Sequence, residues 1–264
     1  MSTTKMTKKE QEESQLAIMG SFEQDAGMGT ENIEAADQAM PFLRPLQKMS
    51  PQVDEDNPGY VEGAKAGMFY NTATERLYDE ITFLPVYYER CYIEWQSREQ
   101  GGGFLGKITP IEAKALGITR GEDGKDYFAN GNQAADTREL TVVLINGDGT
   151  YDPAVISMAS SQVKASRKLM TQLNAVRVQG ANGMFAPPMF ANQVKLNSTS
   201  ESNDHGTWKG IAFTLDGFVT DQDAYVTAKG LYDAVKGGAK SANYGTEEET
   251  PVTSVDDNDG AIPF

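Results

Sequence analysis

The chain has 264 residues, one cysteine, one histidine and a formal net charge of −15 at pH 7. A lone Cys91 excludes an internal disulfide and a cysteine-cluster metal site, and a lone His205 excludes a two-histidine site. No apolar run has the length of a bilayer span, and no apolar leader follows Met1, so the expected setting is a reducing cytoplasm.

The charge is unevenly placed. Residues 1–40 hold eight acids and three bases, residues 245–264 hold six acids and no base, and residues 41–244 hold 24 acids and 20 bases. The middle is close to balanced, so the acidic total does not exclude a polyanionic partner. Three segments follow: a disordered N-terminal segment over 1–40, one folded domain over 41–244, and a disordered acidic tail over 245–264.

In chain order, Pro41-Phe42-Leu43-Arg44-Pro45-Leu46 predicts an extended lead-in strand at a sheet edge, because two prolines disfavour a helix. Residues 80–95 are dense in aromatic and β-branched side chains and predict the strongest strand, with Pro85 marking either an edge or a bulge. Gly101-Gly102-Gly103 is a turn. Thr109-Pro110-Ile111-Glu112 is a capping box with proline in the first helical turn, and Gly117 closes that helix. Leu140–Ile145 and Pro153–Met158 predict two strands joined by the Asn146-Gly147-Asp148-Gly149 turn. Ser160 or Ser161 starts a helix to about Val178, with Val163, Met170, Leu173 and Val176 as its apolar stripe. Strands near 191–198 and 207–218 flank a polar loop over 199–206. A last helix starts at Thr220-Asp221 with Tyr225, Ala228, Leu231, Tyr232 and Val235 inward and ends at Gly237-Gly238. Five or six short strands with these helices predict a mostly β, α+β domain. An oligonucleotide-binding small barrel with long insertions matches the pattern best, and an α+β sandwich gives much the same pattern.

Catalytic patterns are scarce. No phosphate loop of the Gly-x-x-x-x-Gly-Lys-Ser/Thr type exists. His205 falls in a polar loop. Asp148 with Asp152, and Asp123 with Asp126, have neither calcium-loop nor two-metal spacing, so no enzyme activity, cofactor or metal is expected.

Binding patterns are richer. Alternation along 80–95 groups Leu84, Val86, Tyr88, Arg90 and Tyr92 on one face, with Phe83, Tyr87, Cys91, Ile93 and Trp95 on the other. If the second face closes the core, Tyr88-Arg90-Tyr92 offers aromatic, cation, aromatic to bases and phosphates of a single strand. Trp95, Arg98, Phe104 and Lys107 surround the triple glycine, and Trp208-Lys209 opens a later strand. Lys164, Arg167 and Lys168 lie on a helix side away from the apolar stripe, where they suit phosphates. Each of these residues also has an ordinary structural reading, as core aromatic or solvated charge.

The chain closes in Asp256-Asp257-Asn258-Asp259-Gly260-Ala261-Ile262-Pro263-Phe264. Acids keep this end in water, while Ile262, Pro263, Phe264 and the terminal carboxylate offer a partner an apolar tip with a negative group. The segment resembles the C-terminal tip of bacterial single-stranded DNA-binding proteins, and the acidic tails of those of tailed phages are similar. In the bacterial family the acids directly abut the Ile/Leu-Pro-Phe, whereas Gly260-Ala261 intervenes here. The resemblance implies a non-catalytic protein that coats single-stranded DNA in replication, recombination and repair. Asp256, Asp257, Asp259, Ile262, Pro263 and Phe264 would then recruit partner enzymes. A strand-annealing recombination protein and an adaptor that never touches nucleic acid remain open alternatives, as does homo-oligomerisation.

Overall fold

The computed structural model describes residues 18–19, 21–22, 24–32, 40–97, 101–203 and 206–238. They fall within two units, Met1–Gln38 and Ala39–Phe264. In the first, a helical turn joins Ser21 to Asp25, whose N–H donates to the Ser21 carbonyl at 2.9 Å, and turns follow through residue 32. The rest of 1–40 up to Ala39, and all of 245–264, lie outside the described residues.

The second unit begins with β1 (Leu43–Pro45), β2 (Phe69–Asn71) and β3 (Leu77–Tyr78), a small antiparallel sheet. The lead-in segment is extended as its prolines require, and the Pro41 carbonyl accepts from Val155 N–H at 2.8 Å. A larger curled sheet is built on β4 (Glu80–Gln96), β5 (Gly103–Ile108), β6 (Ile118–Arg120), β7 (Asp126–Phe128), β8 (Gln133–Ile145) and β9 (Tyr151–Met158). A short hairpin, β10 (Val178–Gly180) with β11 (Gly183–Phe185), stands apart from it. Then β12 (Asn192–Asn203) and β13 (Gly206–Phe218) complete the large sheet in the order β13-β12-β4-β8-β7-β6, with β5 on β4 and β9 on β8. The helices are α1 (Pro110–Leu116), α2 (Gln162–Ala175) and α3 (Gln222–Lys236). The class is α+β and mostly β. No helix among the described residues is long and apolar enough to cross a membrane.

Both faces of the sheet are covered. One core gathers Ile81, Phe83, Leu140, Val142, Leu144, Leu196 and Phe213 beneath Leu169 of α2. The other gathers Leu84, Val86, Val143, Val155 and Phe190 beneath Ala224, Ala228 and Leu231 of α3. Burying a leucine- or phenylalanine-sized side chain stabilises by roughly 1.5–3 kcal/mol, so helix on sheet on both sides accounts for the apolar runs in β4 and β8.

Several expectations are corrected. Thirteen strands occur among the described residues, not five or six, because short polar strands carry no apolar period. β4 is central, and Pro85 marks the bulge: Pro85 pairs with Val142 and Tyr87 with Thr141, leaving Val86 unpaired. The β12 pairing stops at Phe83, so the missing proline N–H breaks no ladder on that side. The extra residue inverts the alternation. Tyr88, Arg90 and Tyr92 therefore continue the face of Ile81 and Phe83, not that of Leu84 and Val86. The polar stretch expected as a loop over 199–206 is strand through Asn203, paired residue for residue with β13. Asp204 and His205 lie outside the described residues. α2 ends at Ala175; Met170 and Leu173 pack on the core as expected, but the fully buried positions are Ser166 and Leu169, and Val176 lies beyond its end.

The first-turn signals of α1 and α3 hold. Thr109 Oγ1 accepts from Glu112 N–H and Glu112 Oε2 accepts from Thr109 N–H. Asp221 accepts from the N–H groups of Asp223 and Ala224.

Candidate functional site

Each face of the β4–β8 pair carries a charged triad. On one face Arg90 and Arg138, directly opposite in the ladder, share Asp136. Arg90 Nε and Nη2 donate at 2.9 and 3.1 Å to its two oxygens, and Arg138 Nη1 and Nη2 at 2.6 and 3.1 Å. Burial of Asp136 works against ionisation, but the bonds from Arg138 and Arg90 outweigh it and hold the carboxyl below its usual range. Arg90 also lies over the Tyr92 ring, 5.5 Å from its centroid, and donates to its hydroxyl.

On the opposite face Lys107 bridges Glu89 and Glu139, 2.6 Å from the latter. Burial alone would lower the Lys107 ammonium, yet the two carboxylates raise it. Burial pushes the Glu139 carboxyl up against the pull of Lys107, and its Oε1 has no hydrogen-bond partner. Cys91 lies on the same face, its thiol pushed up to about 12 by burial and then by Glu139.

The sequence-selected residues therefore separate into groups. Tyr88 is half-buried against the first core and receives a bond from Ser166 of α2 at 3.3 Å, so it does not face outward. Tyr92 packs on Ala113, Phe128 and Ala134. Arg90 and Tyr92 border a cleft of about 490 Å³ together with Pro110, Lys114, Gly117 and Ile118. Trp95 and Phe104 meet edge to face at 6.0 Å beside the glycine turn. Trp208 Nε1 donates to Glu201 at 3.1 Å, and Lys209 Nζ to Ser200 at 3.0 Å, while Gln47 clamps the Lys209 backbone. Arg98 and the tail residues Asp256, Asp257, Asp259, Ile262, Pro263 and Phe264 lie outside the described residues.

Lys164, Arg167 and Lys168 form the contrasting group. All three are exposed on α2, and among the described residues their side chains have no ion pair or hydrogen bond. Ser166 and Leu169 turn the opposite side of the helix onto the sheet, which fixes the cationic side toward solvent. Residues 153–200 contain no Asp or Glu but five bases, Lys164, Arg167, Lys168, Arg177 and Lys195. In a chain of net charge −15, this is a localised positive field. Of the five, Lys195 pairs with Asp216 at 3.3 Å.

Sequence reasoning missed Asp136, Arg138 and Glu139, which look like ordinary surface charges until the ladder aligns them. It also missed Arg177 and the exposed rings of Phe185 and Phe218. The acid-free run from 153 to 200 is the signal that would have drawn attention to Arg177 and Phe185. In comparisons with known proteins, no curated protein and no solved structure matches. A family model described as Pam3 phage gp34-like protein matches residues 8–241, most of the chain, and the chain belongs to this phage family.

Proposed function

We propose that this protein is a non-catalytic single-stranded DNA-binding protein of phage replication or recombination. It coats exposed strands and recruits partner enzymes through Asp256–Phe264. One observation carries the reading: three exposed cations on α2 without counter-charges among the described residues, inside a stretch free of acids, on an otherwise acidic protein. Such a field holds phosphates without reading sequence. Arg90 and Lys114, beside the Tyr92 ring, add a second cationic border. The terminal apolar tip and its acids support the recruiting half. At the level of fold, the same proposal takes the curled sheet as an oligonucleotide-binding barrel with insertions; its support is the antiparallel sheet curled round a core.

Fluorescence anisotropy with a labelled oligo-dT tests this. Affinity falls steeply with salt, and converting Lys164, Arg167 and Lys168 together to Gln reduces the slope of log K against log salt by about 2. Deleting Asp256–Phe264 leaves strand binding intact or tighter and abolishes capture of replication enzymes. Absence of binding at micromolar protein and low salt overturns the reading.

A further inference from the structure

We infer that the groove between the β10–β11 hairpin and the turn joining β13 to α3 seats one unstacked nucleobase of the bound strand, an inference that rests on the function proposed above. The groove is about 430 Å³ and is lined by Val178, Phe185, Pro187, Phe218, Asp221 and Tyr225, among others. That volume falls in the range of small-ligand sites, roughly 300–1,000 Å³.

Its rings are presented, not buried. Phe185 is 48% exposed and Phe218 49%, whereas Phe69 and Phe83 are fully covered. The Phe185 ring lies across Gly180, where a Cβ would come within 2.9 Å of Cε1, so the hairpin holds the ring in place by omitting a side chain beneath it. Tyr225 is fixed edge-on against Phe190 at 5.3 Å. Pro187 and Pro188 stiffen the wall, so little chain entropy remains to be lost when a ligand enters.

Charge selects the occupant. The wall from Val178 to Ala191 belongs to the acid-free run, and Arg177 stands exposed at its start, next to the cationic helix. On the other wall the Asp221 carboxylate is fixed by the N–H groups of Asp223 and Ala224 and by the Tyr151 hydroxyl. That fixed negative charge repels a phosphate from the groove itself. A strand lying with its phosphates along α2 can still turn a neutral base inward, onto the rings and toward the polar edges of Thr220 and Gln222.

The test uses the full-length protein and an oligo-dT carrying one 2-aminopurine. Wild type quenches the probe on binding. Replacing both Phe185 and Phe218 with Ala weakens binding about tenfold and relieves the quench, with the salt slope unchanged. Both side chains are half exposed, and an unchanged thermal midpoint verifies that the fold holds. Gly180→Ala, which keeps the ring but displaces it, gives a smaller loss in the same direction. The Lys164, Arg167, Lys168 to Gln variant does the converse, lowering the slope while keeping the quench at saturation. If wild type binds and the double variant matches it in affinity and quench, this inference falls and the proposed function stands. If the double variant loses only self-association in sedimentation, the groove seats a second copy and the inference falls. If wild type does not bind at all, both fall.

Discussion

The two faces of the β4–β8 pair use the same three-charge arrangement with opposite balance. One sets two guanidiniums on Asp136 and keeps a surplus positive charge beside an open cleft; the other sets two carboxylates on Lys107 and keeps a surplus negative charge, with Glu139 covered and Glu89 part-exposed. On the first face every Asp136 oxygen is engaged, while on the second Glu139 Oε1 has no partner. A carboxylate with both oxygens engaged and one with an oxygen left over have different consequences, even on one strand.

The largest effect is expected at the satisfied triad. Asp136→Asn leaves Arg138, whose side chain is only 6% exposed, without a counter-charge, and should cost about 3 kcal/mol in urea denaturation. The Asp136 carboxyl titrates below its usual 3.8 in the folded protein, so its contribution is complete above that value and is lost as pH falls through the folded value. The gap between wild type and variant should therefore close in strong acid; a gap that persists there would sink the assignment.

At the Lys107 triad the expected change is smaller and of opposite pH sense. Glu139→Gln should alter stability at pH 7 by about 1 kcal/mol or less, because the replaced carboxylate is only partly paired. Its folded value is raised above the usual 4.5, so whatever Glu139 contributes is present below 4.5 and disappears as pH rises through the folded value. Wild type should compare best with the variant in acid, and a comparison that improves with rising pH would break the contrast between the faces.

The smallest effect concerns Cys91. With its thiol near 12 and its side chain covered, a thiol reagent at neutral pH should label it only as fast as the native protein opens. Rapid labelling of folded protein would show that the face of Glu139 is wetter than described.

What the sequence disclosed follows from how local each signal is. The capping box at Thr109, the N-cap at Asp221 and the turn after Ile145 all act within four residues, and all stand where expected. The apolar halves of β4 and β8 were legible because both faces of the sheet are covered there. The polar half of β8, from Gln133 to Glu139, was not, since its charges are satisfied by one another and by residues on β4 and β5 that register brings alongside. The polar end of β12 was misread for a similar reason: backbone pairing with β13 holds it without apolar side chains. Of the proposed contacts, the α2 cations were visible as a cluster, but that no described residue pairs with them needed the fold. The hairpin groove has no short-range signature at all, since its walls are separated by more than 25 residues.

Val86 gives the longest strand a phase shift. Upstream of it, odd-numbered positions look toward α2; downstream, even-numbered ones do. Excising that one residue would roll the whole downstream half over, sending Arg90 and Tyr92 beneath the opposite layer and bringing Glu89 and Cys91 out in their stead. In such a strand a change of length by one outweighs many changes of identity. Relatives in this phage family can be sorted by whether they retain the additional residue before any of their side chains are compared.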